Sequence, residues 1–192
     1  MSLFSNSFVV GFGINFVLIF LFHRVPLMTK GGWISAGVLG SILWTCLSWQ
    51  GWISVVIYLL FGAIVTKIGY KFKRTKGIAE KRGGRRGPEN VWGSAATGLF
   101  FAIMIKLNFS NLLFYKIGFA ASFASKLADT FGSEIGKRFG RSTYLITSLK
   151  KVNRGTEGGV SLEGTLASAL GSIFMSAIML GLSIINQALL LT

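Results

Sequence analysis

Acidic residues are scarce in this chain of 192 residues, which holds six of them against 20 lysines and arginines. It holds one cysteine, Cys46, and one histidine, His23. A single cysteine excludes an internal disulfide and a thiolate zinc cluster, and a single histidine argues against a histidine-based triad or metal site. A P-loop is absent too, because the nearest match, Gly132–Arg138, is one residue too short and has no Ser or Thr after its lysine.

Long hydrophobic runs dominate what is present. The chain is 52% hydrophobic and 14% charged, whereas soluble domains carry about 25% charged residues. This composition predicts an all-α integral membrane protein, with residues 1–192 forming a single transmembrane domain. The apolar runs predict about six transmembrane helices, over about residues 7–22, 32–49, 52–70, 91–107, 112–130 and 161–190.

The basic residues are concentrated in two polar segments. Nine lie between Lys67 and Arg86, and six lie between Lys137 and Arg154. Two predicted crossings separate the segments, so the positive-inside rule places both loops on the cytoplasmic side of the membrane. Topology then accounts for the net charge of +14, and no nucleic-acid partner is predicted. The expected location is a bacterial inner membrane or an organelle membrane, crossed several times.

Polar residues crowd the end of the fifth predicted helix. At ~100° per residue they project within about 140° of arc. Ionisable groups at membrane depth are costly and usually face a cavity or a partner, so this face predicts a functional site. The alternative is a structural role, in which Lys126 reaches towards the membrane interface and Asp129 pairs with it. The six residues are Lys126, Asp129, Thr130, Ser133, Glu134 and Lys137.

A glycine-rich segment, Arg154–Ser161, precedes the sixth predicted helix. Glycines let backbone N–H groups approach an anion closely. Ser161 stands where an N-cap would open the helix, and a helix N-terminus favours phosphate. The segment therefore predicts phosphate contact, with a flexible linker as the alternative. A third segment, Gly83–Val91, contains Arg86 and Asn90 and predicts a further part of the site. A positively charged loop with a proline-marked helix start explains the segment equally well.

Carboxylates beside basic groups, without a P-loop, suit phosphoryl or nucleotidyl transfer. Such chemistry needs charged groups that hold phosphates and a Mg²⁺ ion held by carboxylates. The expected cofactor is therefore Mg²⁺.

Four motifs resemble a known family: Ala128-Asp129-Thr130, Ser133–Gly136, Leu145-Ile146-Thr147 and Gly155–Thr165. The resemblance is to domain of unknown function 92, also called the transmembrane protein 19 family, which includes the phytyl-phosphate kinase of vitamin E (tocopherol) biosynthesis. It implies a membrane kinase, a transferase that uses CTP or another nucleoside triphosphate to convert an isoprenoid monophosphate into the diphosphate. It also implies distant kinship with dolichol kinases and CDP-diacylglycerol synthases.

The expected roles follow. Asp129, Glu134 and Lys137 are the predicted catalytic residues, and Asp129, Glu134 and Glu157 are the predicted metal ligands. The prenyl tail is expected near Phe119 and Phe123. A CDP-lipid cytidylyltransferase and a small transporter or channel remain alternatives, and the prenyl chain, nucleotide, host membrane and any homo-oligomer stay open. The predicted nucleotide- and phosphate-binding residues are Arg86, Asn90, Lys126, Thr130, Ser133, Arg138, Arg154, Gly155, Thr156, Gly158, Gly159 and Ser161.

Overall fold

The computed structural model describes residues 2–108 and 110–185. Within these residues, six helices and three short strands follow one another, with a short 3₁₀ turn at Lys81–Gly84. The predicted helical character is thus confirmed. The elements are α1 (Ser2–Phe22), α2 (Lys30–Lys67), α3 (Tyr70–Thr75), α4 (Pro88–Lys106), α5 (Leu112–Phe139), β1 (Thr143–Leu145), β2 (Lys151–Val152), β3 (Gly159–Ser161) and α6 (Leu162–Gly181).

Two of the described helices, α2 and α6, are long and apolar enough to cross a membrane, judged by length and composition. The count of six spans and the shared side of the two polar loops stay predictions. Within the described residues, the chain divides into two compact units. The first unit comprises residues 2–57, 85–108, 110–123 and 176–185, and the second comprises residues 58–84 and 124–175.

Helix boundaries differ from the predicted ones at three places. The break predicted at Gln50–Gly51 lies at Ser48, where φ is 57° and ψ is −159° inside α2. A glycine inside a helix costs only about 1 kcal/mol, so Gly51 can remain helical. The fifth helix continues nine residues beyond 130, because hydropathy marks where a helix becomes polar and not where its hydrogen bonds end. The sixth helix, predicted over 161–190, ends at Gly181, and residues 186–190 lie outside the described residues.

The polar segment predicted over 132–159 contains a small sheet that an all-α prediction missed. Its strand order is β2-β1-β3, and both pairings are antiparallel. Tyr144 stands opposite Lys151 on one side and Val160 on the other. Strands of two or three residues are too short to show an alternating pattern, so hydrophobic patterning could not predict them.

The first unit is held by close contacts between helices. Asn15 of α1 is buried, its amide donates to the Gly11 carbonyl over 2.7 Å, and it accepts from the Trp52 indole over 3.2 Å. The rings of Phe119 and Phe123 are fully buried and lie edge to face, with centroids 5.2 Å apart. The nitrogen and the oxygen of the buried Asn15 amide are thus both hydrogen-bonded within the unit.

The second unit depends on glycines where α5 crosses α6. A Cβ at Gly132 would collide with the Ser168 hydroxyl, and one at Gly164 would come within 2.8 Å of the Gly132 carbonyl. The Ser168 hydroxyl donates to the carbonyl of Ala128 over 2.9 Å. Small residues that let backbones approach, joined by a serine hydrogen bond, are typical of membrane helix pairs.

Candidate functional site

The second unit contains a cavity of about 520 Å³ between the C-terminal half of α5, the sheet, the loop from β2 to β3 and the start of α6. Nine of the predicted site residues line it, and the glycines and hydroxyls of the helix crossing complete its wall. The predicted residues in the lining are Asp129, Ser133, Lys137, Gly155, Thr156, Gly158, Gly159 and Ser161, together with the predicted metal ligand Glu157.

One face of α5 supplies the charged wall. Asp129, Ser133 and Lys137 are spaced four residues apart, so their side chains lie above one another along the helix. Glu134 lies about 140° around the helix from Asp129 at ~100° per residue, and it is absent from the lining. Asp129 is exposed. The cavity therefore receives one carboxylate, one hydroxyl and one amine from this helix.

The loop from β2 to β3 supplies backbone groups. Gly155 and Gly158 have φ of 80° and 72°, in the left-handed region that favours glycine. The turn closes through Thr156, whose N–H donates to the Asn153 carbonyl over 3.2 Å and whose carbonyl accepts from Gly159 N–H over 3.0 Å. The glycines are thus required by the shape of this loop, which exposes its backbone to the cavity.

Ser161 caps α6, as the sequence predicts. Its Oγ accepts a hydrogen bond from the Gly164 N–H over 3.2 Å, the third residue of the helix. Glu163 in the same turn accepts the Arg141 N–H over 3.1 Å and so ties the chain after α5 to the start of α6. The N-terminal turn of α6 therefore borders the cavity through Ser161 and Gly164.

Behind this wall lies a chain of alternating charges that includes a fully buried lysine. Lys73 of α3 is 0% exposed, and its ammonium donates to Oε2 of Glu134, which is 2% exposed. The other Glu134 oxygen, Oε1, is 3.4 Å from Nζ of Lys137, and Oε1 of Glu80 is 3.8 Å from the same nitrogen. Glu134 therefore holds the cavity-lining Lys137 from behind.

Two predicted phosphate-binding arginines serve other contacts. The guanidinium of Arg138 lies over the rings of Phe72 and Phe139, 4.7 Å and 4.9 Å from their centroids. The guanidinium of Arg154 donates to the Arg138 carbonyl over 3.3 Å and so ties the glycine loop to the end of α5. Neither side chain is in the cavity lining, and their contact with phosphate stays a prediction.

The other predicted residues are not among those that line the cavity. Thr130 donates its hydroxyl to the carbonyl of Lys126 over 3.0 Å, and Lys126 itself is exposed. Arg86 and Asn90 belong to the first unit. There the Asn90 side chain accepts a hydrogen bond from the Gly87 N–H over 2.9 Å. Asn90 therefore helps to cap the start of α4. Binding of phosphate by these four residues also stays a prediction.

The metal prediction fits this cavity in part. Asp129 and Glu157 both line it, and Mg²⁺ commonly uses one or two carboxylates together with substrate phosphates. Glu134 does not fit, because both its oxygens contact lysines and its side chain is buried. Among residues 2–108 and 110–185, no three His, Cys, Asp or Glu side chains form a group that could hold a metal ion.

Lys73 and Glu80 are the functional candidates that sequence reasoning missed. Lys73 is one of nine basic residues between Lys67 and Arg86 that topology explains, and Glu80 is the one acid in that segment. The only signal was an acid inside a strongly basic loop, which indicates a local partner without naming it.

Comparison with known proteins places the chain in a family. The family model described as "Integral membrane protein DUF92" matches residues 13–192. The chain is 47% identical over 161 residues to the uncharacterized membrane protein sll0875 of Synechocystis sp., covering 83% of this chain and 62% of the relative. It is 41% identical over 171 residues to "Protein VTE6, chloroplastic" of Arabidopsis thaliana, covering 85% of this chain and 51% of that protein.

A more distant relative is the uncharacterized membrane protein MJ0933 of Methanocaldococcus jannaschii, 28% identical over 159 residues. The chain spans about half to two thirds of the length of these relatives, and no solved structure matches it significantly. The matched family is the one that the motifs resemble, so the predicted family and membrane location are confirmed. The chain therefore belongs to the integral membrane protein family DUF92.

Proposed function

We propose that this chain is a membrane-embedded kinase that transfers the γ-phosphoryl group of a nucleoside triphosphate, CTP in the first instance, to an isoprenoid monophosphate of the phytyl type. The observation that carries the proposal is the cavity in which Asp129 and Lys137 face the glycine loop and the capped start of α6. It combines an amine, backbone N–H groups and carboxylates, which is what phosphoryl transfer requires. The chain belongs to the family that its motifs resemble, and that family includes the phytyl-phosphate kinase of vitamin E biosynthesis, which supports the proposal.

In this proposal the cavity binds phosphates at two places. The ammonium of Lys137 contacts phosphate oxygens from the α5 side, while Glu134 keeps it oriented from behind. The backbone N–H groups of the glycine loop at Gly155 and Gly158, with the N-terminal turn of α6, bind phosphate oxygens from the opposite side. The two phosphates that must react are thereby held close together, and this positioning contributes to the rate enhancement.

The transfer needs no strong base. An oxygen of the lipid phosphate attacks the γ-phosphorus of the nucleotide and forms the new P–O bond. The bond between that phosphorus and the bridging oxygen to the β-phosphate breaks, so the nucleoside diphosphate leaves with the electron pair. A phosphate monoester near neutral pH already carries ionised oxygens, and the protein therefore has to supply position and positive charge.

Mg²⁺ is part of the proposal as the ion that neutralises the nucleotide phosphates. Asp129 and Glu157 are the residues that would hold it, since both carboxylates line the cavity. We assign Glu134 to the positioning of Lys137 instead. Six transmembrane spans, with both polar loops on the cytoplasmic side, complete the proposal, because a water-soluble nucleotide then reaches the cavity from that side.

The test is product analysis with the purified chain in lipid nanodiscs. Phytyl phosphate, Mg²⁺ and each of CTP, ATP, GTP and UTP would be supplied in turn, and the lipid products separated by mass spectrometry. We expect phytyl diphosphate together with the nucleoside diphosphate. Asp129→Asn should abolish the product, whereas the exposed control Lys76→Ala should retain it. A folded chain that makes no product with any nucleotide would refute the proposal.

The second candidate is a cytidylyltransferase that makes a CDP-lipid. The same cavity favours it, because it too must hold a triphosphate beside a lipid phosphate. Here the lipid phosphate attacks the α-phosphorus and pyrophosphate leaves. The same assay separates the two, since a CDP-lipid and pyrophosphate replace the lipid diphosphate and CDP. Protein-dependent flux of an ion or solute without any product would favour the transporter alternative.

A further inference from the structure

The sheet presents large apolar side chains on its outer face and at its hairpin tip. Tyr144 and Val160 are paired across β1 and β3, and each is 42% exposed. Ile146 and Leu149 at the turn between β1 and β2 are 67% and 76% exposed. We call these four residues the apolar hairpin face. Soluble proteins seldom leave so many neighbouring large side chains uncovered, so such a patch marks an interaction surface.

The turn at the hairpin tip contains a residue that backbone geometry disfavours. Leu149 has φ of 55°, a left-handed conformation in which Gly, Asn or Asp is usual and a bulky side chain is strained. Its N–H donates to the Leu145 carbonyl over 2.8 Å, which fixes the turn. A polar residue would fit this exposed turn better, so the leucine indicates that the side chain itself contacts something apolar.

The position of the sheet along the chain indicates which apolar surface the Leu149 side chain contacts. β3 ends at Ser161, and the candidate span α6 begins at the next residue, Leu162. A helix of 20 residues is about 30 Å long, which is the thickness of the hydrocarbon layer. Its first residue therefore lies at the boundary of that layer, and the sheet lies in the interface beside it.

Exposed apolar residues continue from the sheet along α6. They recur at helical spacing, which gives a stripe on one side of the helix. The stripe has the length and composition of a surface that faces acyl chains, and it begins where the apolar hairpin face ends. Its members are Leu162, Leu166, Leu170 and Ile173, each of them more than half exposed.

The positive charge at the edge of the sheet is also typical of a segment that lies against a lipid surface. Lys150 and Lys151 directly follow the apolar tip, and both are exposed. An apolar surface flanked by lysines is typical of segments that lie in the membrane interface, where the lysines contact anionic headgroups and the apolar residues enter the acyl boundary. An interface with a second protein would not require lysines directly after the apolar tip.

We infer that the apolar hairpin face lies in the bilayer interface, with Leu149 and Ile146 in the acyl boundary and Lys150 and Lys151 among anionic headgroups. Ile146 and Val160 also line the cavity, so this face connects the cavity to the bilayer. On the proposed function, the hydrocarbon tail of the lipid phosphate leaves the cavity across these two residues. Phe119 and Phe123 are fully buried and offer the tail no open surface.

The test places an environment-sensitive fluorophore at the hairpin tip. In a Cys46→Ala background, Leu149→Cys would be labelled with a nitrobenzoxadiazole dye and reconstituted into vesicles of phosphatidylcholine and phosphatidylglycerol. The matched control is Lys76→Cys, an exposed position in the same unit. Doxyl-labelled phosphatidylcholine should quench the Leu149 dye about twofold or more over the control, because only that dye reaches the acyl boundary.

Equal quenching at the two positions would overturn the inference. Quenching that depends on protein density and not on doxyl lipid would also overturn it, since a second copy would then cover the face. A kinetic arm tests the link to the cavity, and Ile146→Asn should raise KM for phytyl phosphate severalfold while KM for the nucleotide stays unchanged. The control is Thr147→Asn, the next residue, which is outside the lining. Because quenching needs no activity, its result stands even if the chain is not a kinase.

Discussion

Replacing Lys73 by methionine should destabilise the second unit more than any other single loss of charge in the polar loop. The fully buried ammonium of Lys73 bonds both to Glu134 and to the Thr66 carbonyl, 2.8 Å away. Thr66 lies in the last turn of α2, where carbonyls lack helical partners and favour a cation. Lys73→Met therefore leaves a buried carboxylate and a helix end without their main partner.

The expected size follows from these contacts. Removing one member of a buried ion pair costs about 3–5 kcal/mol. Lys137 still contacts the other Glu134 oxygen, 3.4 Å away, so the low end of that range, about 3 kcal/mol, applies. Denaturant unfolding in detergent, followed by far-UV circular dichroism, would measure it. Tryptophan fluorescence is unsuitable, because all five tryptophans belong to the first unit.

Two comparisons make this result decisive. The exposed control Lys76→Met should change stability by less than about 0.5 kcal/mol. The double variant Lys73→Met/Glu134→Gln should lose less than the sum of the two single variants, since neither charge is then left alone. A Lys73→Met variant as stable as the control, or strictly additive losses, would show that the buried pair does not hold α3 to α5.

Three further outcomes follow from the site. Gly158→Val should raise the nucleotide KM at least several-fold more than Gly77→Val, because both positions have φ near +70° but only Gly158 lines the cavity. Asp129→Asn should remove activity and leave a folded, membrane-inserted chain, as judged by size-exclusion chromatography; failure to accumulate would make Asp129 structural. Gly132→Ala should cost about 1–3 kcal/mol by crowding the α5–α6 crossing, whereas Gly93→Ala, where the added carbon meets open space, should not.

Helical spacing in the sequence predicted the cavity wall on α5 but not its edges. Steps of four residues align Asp129, Ser133 and Lys137, and this alignment depends only on helix geometry. Glu134 lies at the far side of the same polar arc, and its direction is decided by Lys73 on another helix. Hydropathy cannot indicate which of nine neighbouring basic residues becomes buried, since burial is a property of tertiary packing.

The glycine loop shows the same division. Its glycines and the N-cap at Ser161 could be predicted from the sequence, because left-handed turns and N-caps restrict the residue type locally. The sheet that presents them was not, because its strands are two or three residues long and their pairing is set by partners far along the chain. The extension of α5 to Phe139 was missed for a related reason, since polarity changes before the helix ends.

The close crossing of α5 and α6 has a consequence for how the cavity adapts. With the Gly132 and Gly164 backbones nearly touching and the Ser168 hydroxyl bonded across them, these two walls resist displacement relative to each other. The loop from β2 to β3 is the more compliant wall, since turn hydrogen bonds around Thr156 and the hydrogen bond from Arg154 to the Arg138 carbonyl hold it. Substrates of different size would then be accommodated by loop displacement, with the spacing of the helices unchanged.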